Sequence, residues 1–176
     1  KLIDITSDDT FLAGVYYSRG DAFTGMQDWK SALRSYLKSY ELESDGNYAA
    51  KALKASYQTA LMPLNENNFE LAIIQFDSLI NIIPSGPLLT AAHYSKGDAF
   101  SELEEWKAAG KSYLESFKLE PDGKYAAKAL MNVGISLGKM QKINEACNIL
   151  NRVEARFPRN QIVEEAQYEM QILGCS

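Results

Sequence analysis

Few residues in this sequence carry the chemistry of a catalytic or metal site. His93 is the single histidine, and Cys147 and Cys175 are the two cysteines. So small a set rules out a zinc site rich in those ligands. A general base needs a nucleophile or water beside it and a carboxylate to orient it. No serine or cysteine near His93 in the sequence makes a recognisable elbow or triad, and His93 falls at a large apolar position of a helical pattern, so it reads as packing. The cysteines form no CxxC pair, and no histidine stands beside either to activate it. The acidic pairs Asp8-Asp9 and Glu104-Glu105 read as helix-terminus or surface charges, with Asp8 and Asp9 suited to oppose the positive end of a helix. YSRGDAF and YSKGDAF each hold one glycine inside a helical pattern. A phosphate cradle needs backbone amides free at a helix N-terminus. These features predict no enzyme, no cofactor and no metal. A hydrolase built on His93 is the contrasting reading, and generic ester and peptide substrates would test it.

Composition bounds the rest. The chain has 176 residues, 46% hydrophobic and 23% charged, which is ordinary for a globular protein. A chain of this size buries roughly 70% of its unfolded surface, so its core needs no metal or disulfide staple. A net charge of -5 makes it a poor electrostatic partner for nucleic acid or an anionic membrane. No run of 18 apolar residues is present for a bilayer span. The opening KLIDITSDDT lacks the apolar stretch of a signal peptide. Together with the start at Lys1, this leads us to expect a processed or truncated product whose signal or upstream domain lies outside it.

The elements that position any functional side chain follow from an internal duplication. Residues 13 to 53 align without gaps on residues 90 to 130, with about 23 of 41 positions identical. The offset of 77 suits two helical hairpins. A ladder of small and large residues marks them: Gly97, Phe100, Ala109, Tyr113 and Pro121 in one unit, Gly20, Phe23, Ala32, Tyr36 and Ser44 in its copy. The next unit reads Gly134, Leu137, Ala146, Leu150 and Pro158. A fourth, irregular unit has Ala72, Phe76 and Pro84, with Tyr57 or Ala60 at its glycine position and a turn, LNENN, longer by about three residues. The glycine and alanine let paired helices approach closely, and the large residues fill the gap to the next hairpin.

This ladder resembles the tetratricopeptide repeat, a helix-turn-helix of about 34 residues. It predicts an all-α fold: a tetratricopeptide-repeat superhelix of about four helical hairpins plus a C-terminal capping helix. All of 1–176 would be one solenoid domain, with repeats near 9–43, 46–84, 87–121 and 123–158 and a cap at 160–173. Helices are expected at about 9–25, 28–42, 46–63, 67–82, 87–103, 105–119, 123–139, 142–156 and 160–173. Asp45 and Asp122, in the turns Ser44-Asp45-Gly46 and Pro121-Asp122-Gly123, suit capping. In such repeats the first helices line a groove. Counting from the glycine position, the partner-binding set is Tyr17, Asp21 and Thr24, then Lys51, Lys54 and Gln58, then Tyr94, Asp98 and Ser101, then Lys128, Met131 and Ile135. These strips alternate acidic-aromatic with basic and suit an extended or helical peptide of mixed charge. The Lys, Asn, Asn, Lys, Arg set that clamps an EEVD-type tail cannot be assembled from them.

From about Tyr57 to Gln171 the chain resembles something narrower, the C-terminal domain of the cell-division coordinator of the bacterial Tol-Pal system (CpoB or YbgF type). The matching stretches are YQTALMPLNENNFELAIIQFDSLINIIP, AAHYSKGDAF and AAKALMNVGISLGKMQKINEACNILNRVEARFP, with Ala92, Tyr94, Gly97 and Asp98 in one motif and Leu130, Gly134, Ala146, Cys147, Phe157 and Pro158 in another. Residues 1 to 56 are an additional unit and a half, and the coiled coil that the family carries upstream is expected to lie outside this sequence by truncation. The resemblance implies a periplasmic scaffold working with TolA and peptidoglycan synthesis proteins during envelope constriction. The alternative is an outer-membrane assembly lipoprotein or another adaptor of the same repeat. A periplasmic location permits Cys147 and Cys175 to pair, closing a loop of about 28 residues worth roughly 3 kcal/mol on the chain-entropy account. The other reading is a buried core thiol and a frayed terminal one. The duplication also lets the end of one chain dock on the beginning of another, or exchange hairpins with it, as a homo-oligomer.

Overall fold

The computed structural model describes residues 2–175, with side chains described from Asp9 onward. Among the described residues there are nine α-helices and no strand: α1 (Leu2–Gly25), α2 (Trp29–Leu42), α3 (Ala49–Asn65), α4 (Phe69–Ile80), α5 (Pro87–Glu102), α6 (Trp106–Leu119), α7 (Ala126–Lys139), α8 (Ile143–Arg156) and α9 (Ile162–Leu173). They fall into two compact units, Lys1–Pro84 and Ser85–Ser176. No described helix is long and apolar enough to cross a membrane.

In the first unit α1 packs on α2, α2 on α3 and α3 on α4. The pairs close where side chains are small. Gly20 faces the Tyr36 ring so tightly that a Cβ there would lie 2.5 Å from Cε1, and Ala32 is fully buried on the opposing helix. In the second hairpin Ala60, fully buried and twelve residues before Ala72, takes the close-contact position. Tyr57 instead packs its ring 6.3 Å from that of Phe76. The three extra residues of this hairpin lengthen α3 to 17 residues rather than its turn, contrary to the expectation of a longer LNENN loop. Pro63 does not end the helix either. It lies two residues from the C-terminus, so its missing N–H costs the ladder one bond.

The second unit repeats the plan with α5 on α6, α6 on α7 and α7 on α8, and adds α9 against α8 and α7. Cβ atoms added at Gly97 and Gly134 would meet Tyr113 at 2.6 Å and Leu150 at 2.7 Å. One core cluster runs through Tyr113, Phe117, Leu130, Val133, Leu150 and Val153 and reaches Ile162 and Ala166 on α9. Cys147 and Cys175 are joined by a disulfide with Cα atoms 5.6 Å apart, which ties the end of α9 to α8.

The helix ends depart from the expected chemistry in two places. Asp8 and Asp9 lie inside α1, which begins at Leu2, so neither opposes a helix N-terminus. Asp45 and Asp122 do not cap: α3 and α7 start after Tyr48 and Tyr125 without a side-chain cap bond. Glu43 instead accepts from the Tyr48 backbone N–H (3.1 Å), and Asp122 pairs with Arg156 (2.9 Å). Caps do occur at α2, where Ser31 N–H donates to Asp28, and at α4, where Leu71 N–H donates to Asn68. Asp28 is exposed, and its cap bonds with Ser31 hold the carboxyl below the usual carboxylate range.

Candidate partner-binding surface

The side chains expected to line a groove rest on a bonded aromatic framework that recurs at the duplication offset. In the second unit the Tyr94 ring of α5 stacks on Tyr125 (4.9 Å, 28°) and tilts against Tyr113 of α6 (5.4 Å, 56°). Tyr113 Oη donates to Asp98 Oδ1 at 2.8 Å and lies 3.0 Å from Ser101 Oγ. Asn132 Nδ2 of α7 donates to Tyr94 Oη at 3.3 Å. Burial pushes the Asp98 carboxyl up to about 6, although the bond from Tyr113 and the charge of Lys128 pull it down. Burial, followed by the Asp98 charge, raises the hydroxyls of Tyr94 and Tyr113.

The first unit builds the same frame from the copied residues. Tyr17 of α1 tilts against Tyr36 (5.4 Å, 57°) and Tyr48 (5.7 Å, 42°). Tyr36 Oη donates to Asp21 Oδ1 at 2.7 Å and stands 3.1 Å from Thr24 Oγ1. Burial pushes the Tyr36 hydroxyl up to about 12, and burial with the Asp21 charge raises Tyr17. Besides Thr24 for Ser101, the copies differ on the next helix. Ala55 stands where the second unit has Asn132, and Lys54 where it has Met131.

The expected contact residues therefore divide by exposure. Asp21, Lys54, Gln58 and Lys128 are exposed, and Tyr17 and Asp98 are partly covered. Tyr94 and Met131 retain 6% and 4% of their surface, so they position neighbours more than they display themselves. Gln58 joins Thr24, Tyr36, Thr59 and Met62 around a hollow of about 480 Å³ in the first unit. In the second unit a hollow of about 450 Å³ has Met131 and Ile135 on one side and Glu164, Glu165, Tyr168 and Glu169 of α9 on the other. The sequence reasoning assigned α9 to capping alone and missed that wall. Its signal was the acidic-aromatic run of a helix that needs just one apolar face to cap. His93 is half-buried on α5. No group of three His, Cys, Asp or Glu suited to a metal occurs among the described residues.

No protein-family model matches the chain, and no curated protein matches it. Solved structures do. YrrB, described as a TPR protein with an unusual peptide-binding site, superposes with a TM-score of 0.60 at 18% identity over 90% of this chain and 74% of its own. The apo form of RapI gives 0.64 at 17% identity over 94% of this chain. The fold is that of tetratricopeptide-repeat proteins. A third such structure, the second TPR domain of human RPAP3 in complex with the HSP70 peptide SGPTIEEVD, gives 0.58 at 17% identity over 69% of this chain and 93% of that one. The chain spans 48% of RapI, so the likeness is to part of that protein. Within the tetratricopeptide fold, Gly20, Gly97 and Gly134 are the helix-contact positions that the sequence ladder marks.

Proposed function

We propose that this chain is a non-enzymatic adaptor that captures a protein or peptide segment of mixed charge on the first-helix faces of its hairpins. The observation that carries this reading is the duplicated tyrosine–carboxylate frame, in which Tyr36 and Tyr113 fix Asp21 and Asp98 by hydrogen bonds of 2.7 and 2.8 Å. A carboxylate held in place before a partner arrives loses little entropy on binding. Exposed Lys128 lies close enough to Asp98 to act on its charge, so opposite charges stand side by side for a segment carrying both. The peptide complex of the human RPAP3 domain and the peptide-binding site ascribed to YrrB support use of this fold for peptides.

The finer reading places the adaptor in the periplasm, coordinating Tol-Pal function and envelope constriction with TolA and peptidoglycan synthesis proteins as partners. Two features support it: the stretches from Tyr57 to Gln171 that resemble the Tol-Pal coordinator, and the Cys147–Cys175 disulfide, a bond of oxidising compartments. The test is recovery from a Gram-negative envelope extract, with the chain and its Lys128→Glu variant as baits. The expected result is TolA or a cell-wall synthase with the parent chain and several-fold less with the variant. Recovery of neither protein refutes the periplasmic reading, and equal recovery by both baits refutes the surface.

A further inference from the structure

The first unit has a second cleft, on the side formed by the second helices of its hairpins. Between α2 and α4 lies a hollow of about 460 Å³ whose floor includes Leu37, Leu71 and Ile74, with Ile74 58% exposed. Its rim carries Arg19, Lys30, Arg34 and Lys38 against one carboxylate, Glu41, in a chain whose net charge is -5. Gln75 lines it as well. That side chain is 2% exposed, and neither its Oε1 nor its Nε2 has a hydrogen-bond partner. An amide left so is unusual, because buried polar groups are nearly always paired. The cleft is not a by-product of the repeat. At the matching positions of the second unit, Gly110 replaces Leu33, Glu145 replaces Leu71 and Asn148 replaces Ile74.

The complementary surface is on α9. Glu165, Tyr168 and Ile172 fall at i, i+3 and i+7 and so share one face of the helix. Tyr168 is 63% exposed and Ile172 61%, and Glu164 adds a second exposed carboxylate at the start of the face. The disulfide at Cys175 fixes the helix end next to Ile172, so the stripe is presented already ordered.

We propose that the α2–α4 cleft receives α9 of a second copy of this chain. Tyr168 and Ile172 cover the apolar floor above the buried Gln75, and Glu164 and Glu165 face the basic rim. This is an amphipathic helix in a groove, joined by charges of opposite sign. The contact is heterologous, so each added copy still offers an open cleft or an open α9, and assembly proceeds past a dimer until a ring closes. It uses neither Asp98 nor Lys128. Glu164, Glu165 and Tyr168 also wall the hollow beside Met131, so the variant that separates this contact from the adaptor surface is Arg34→Glu, which lies in the cleft alone: it loses self-association and keeps partner binding.

Light scattering after size exclusion, from micromolar to about millimolar chain at low and high salt, reads the contact directly. The expected result is a mass that grows with concentration and falls as salt rises. Tyr168→Ala and Arg34→Glu each abolish the growth while helical circular dichroism is kept, since both positions are exposed. Arg34→Glu combined with Glu165→Arg in one chain restores it. Monomer mass at every concentration overturns the proposal. So does growth that Tyr168→Ala and Arg34→Glu leave untouched, or a paired swap that restores nothing.

Discussion

At the residue scale, the Asp98 carboxyl is the group through which pH acts on the frame. Its pKa is raised from 3.8 to about 6, with burial the largest cause, so the folded chain binds its proton more tightly than the unfolded chain does. Such a group contributes its full stabilisation below pH 3.8 and loses it as pH rises through about 6. The loss amounts to up to about 3 kcal/mol, because each tenfold difference in proton affinity between the folded and unfolded chain is worth about 1.4 kcal/mol. Asp98→Asn keeps an acceptor for Tyr113 and removes the charge. Thermal unfolding should show it more stable than the parent at pH 7.5, with the difference gone or reversed at pH 3.5. An unchanged difference across that range would remove burial as the cause. The glycines give a second contrast. Gly97→Ala drives a Cβ to 2.6 Å from Tyr113 and should cost about 1–3 kcal/mol, loosening the bond to Asp98 as the ring shifts. Gly25→Ala meets nothing within 4 Å and should stabilise by about 0.5 kcal/mol. Urea melts of the two variants should move in opposite directions.

At the element scale, the hairpin turns share a feature that residue types do not announce. Gln27, Asn67, Glu104 and Gln141 each sit in the turn between paired helices with φ between 57° and 62°, a left-handed conformation that costs a non-glycine residue about 1 kcal/mol. Glu104→Gly should therefore raise the melting temperature, a change that calorimetry resolves, whereas the same substitution at Glu115, inside α6, should lower it. The helices themselves were legible in the sequence, because the Gly–Ala–aromatic ladder fixes which residues must touch. Expected and observed bounds agree within about three residues from α2 onward. What was not legible depends on registry rather than residue type. Three extra residues add almost one turn to α3, and composition cannot tell a longer helix from a longer loop when Asn and Glu end it. Asp45 and Asp122 have a capping residue's chemistry, but α3 and α7 begin three or four positions later, out of their reach. Of the residues expected to contact a partner, spacing places Asp21 and Lys128 on exposed helix faces, whereas the burial of Tyr94 and Met131 follows from stacking on Tyr125 and the packing of α7, which only three dimensions display.

At the scale of the whole molecule, the two units differ in how their cores are closed. The cluster of the second unit draws all its members from residues 94 to 173, and α9 covers its last hairpin with Ile162 and Ala166 buried. The disulfide adds a loop constraint of roughly 3 kcal/mol by restricting the unfolded chain. The first unit, by contrast, exposes Phe11 (71%), Leu12 (42%) and Val15 (47%) on α1. A fragment of residues 85–176 should consequently fold by itself, giving a helical spectrum and one cooperative thermal transition. Replacing both Cys147 and Cys175 by serine should lower that transition without abolishing it, because the apolar face of α9 stays buried when the bond is gone. A reductant should reproduce the shift in the parent fragment and leave the serine variant unmoved. A broad, non-cooperative melt of the oxidised fragment would show instead that its core depends on residues before Ser85. The division into two self-contained units would then fail.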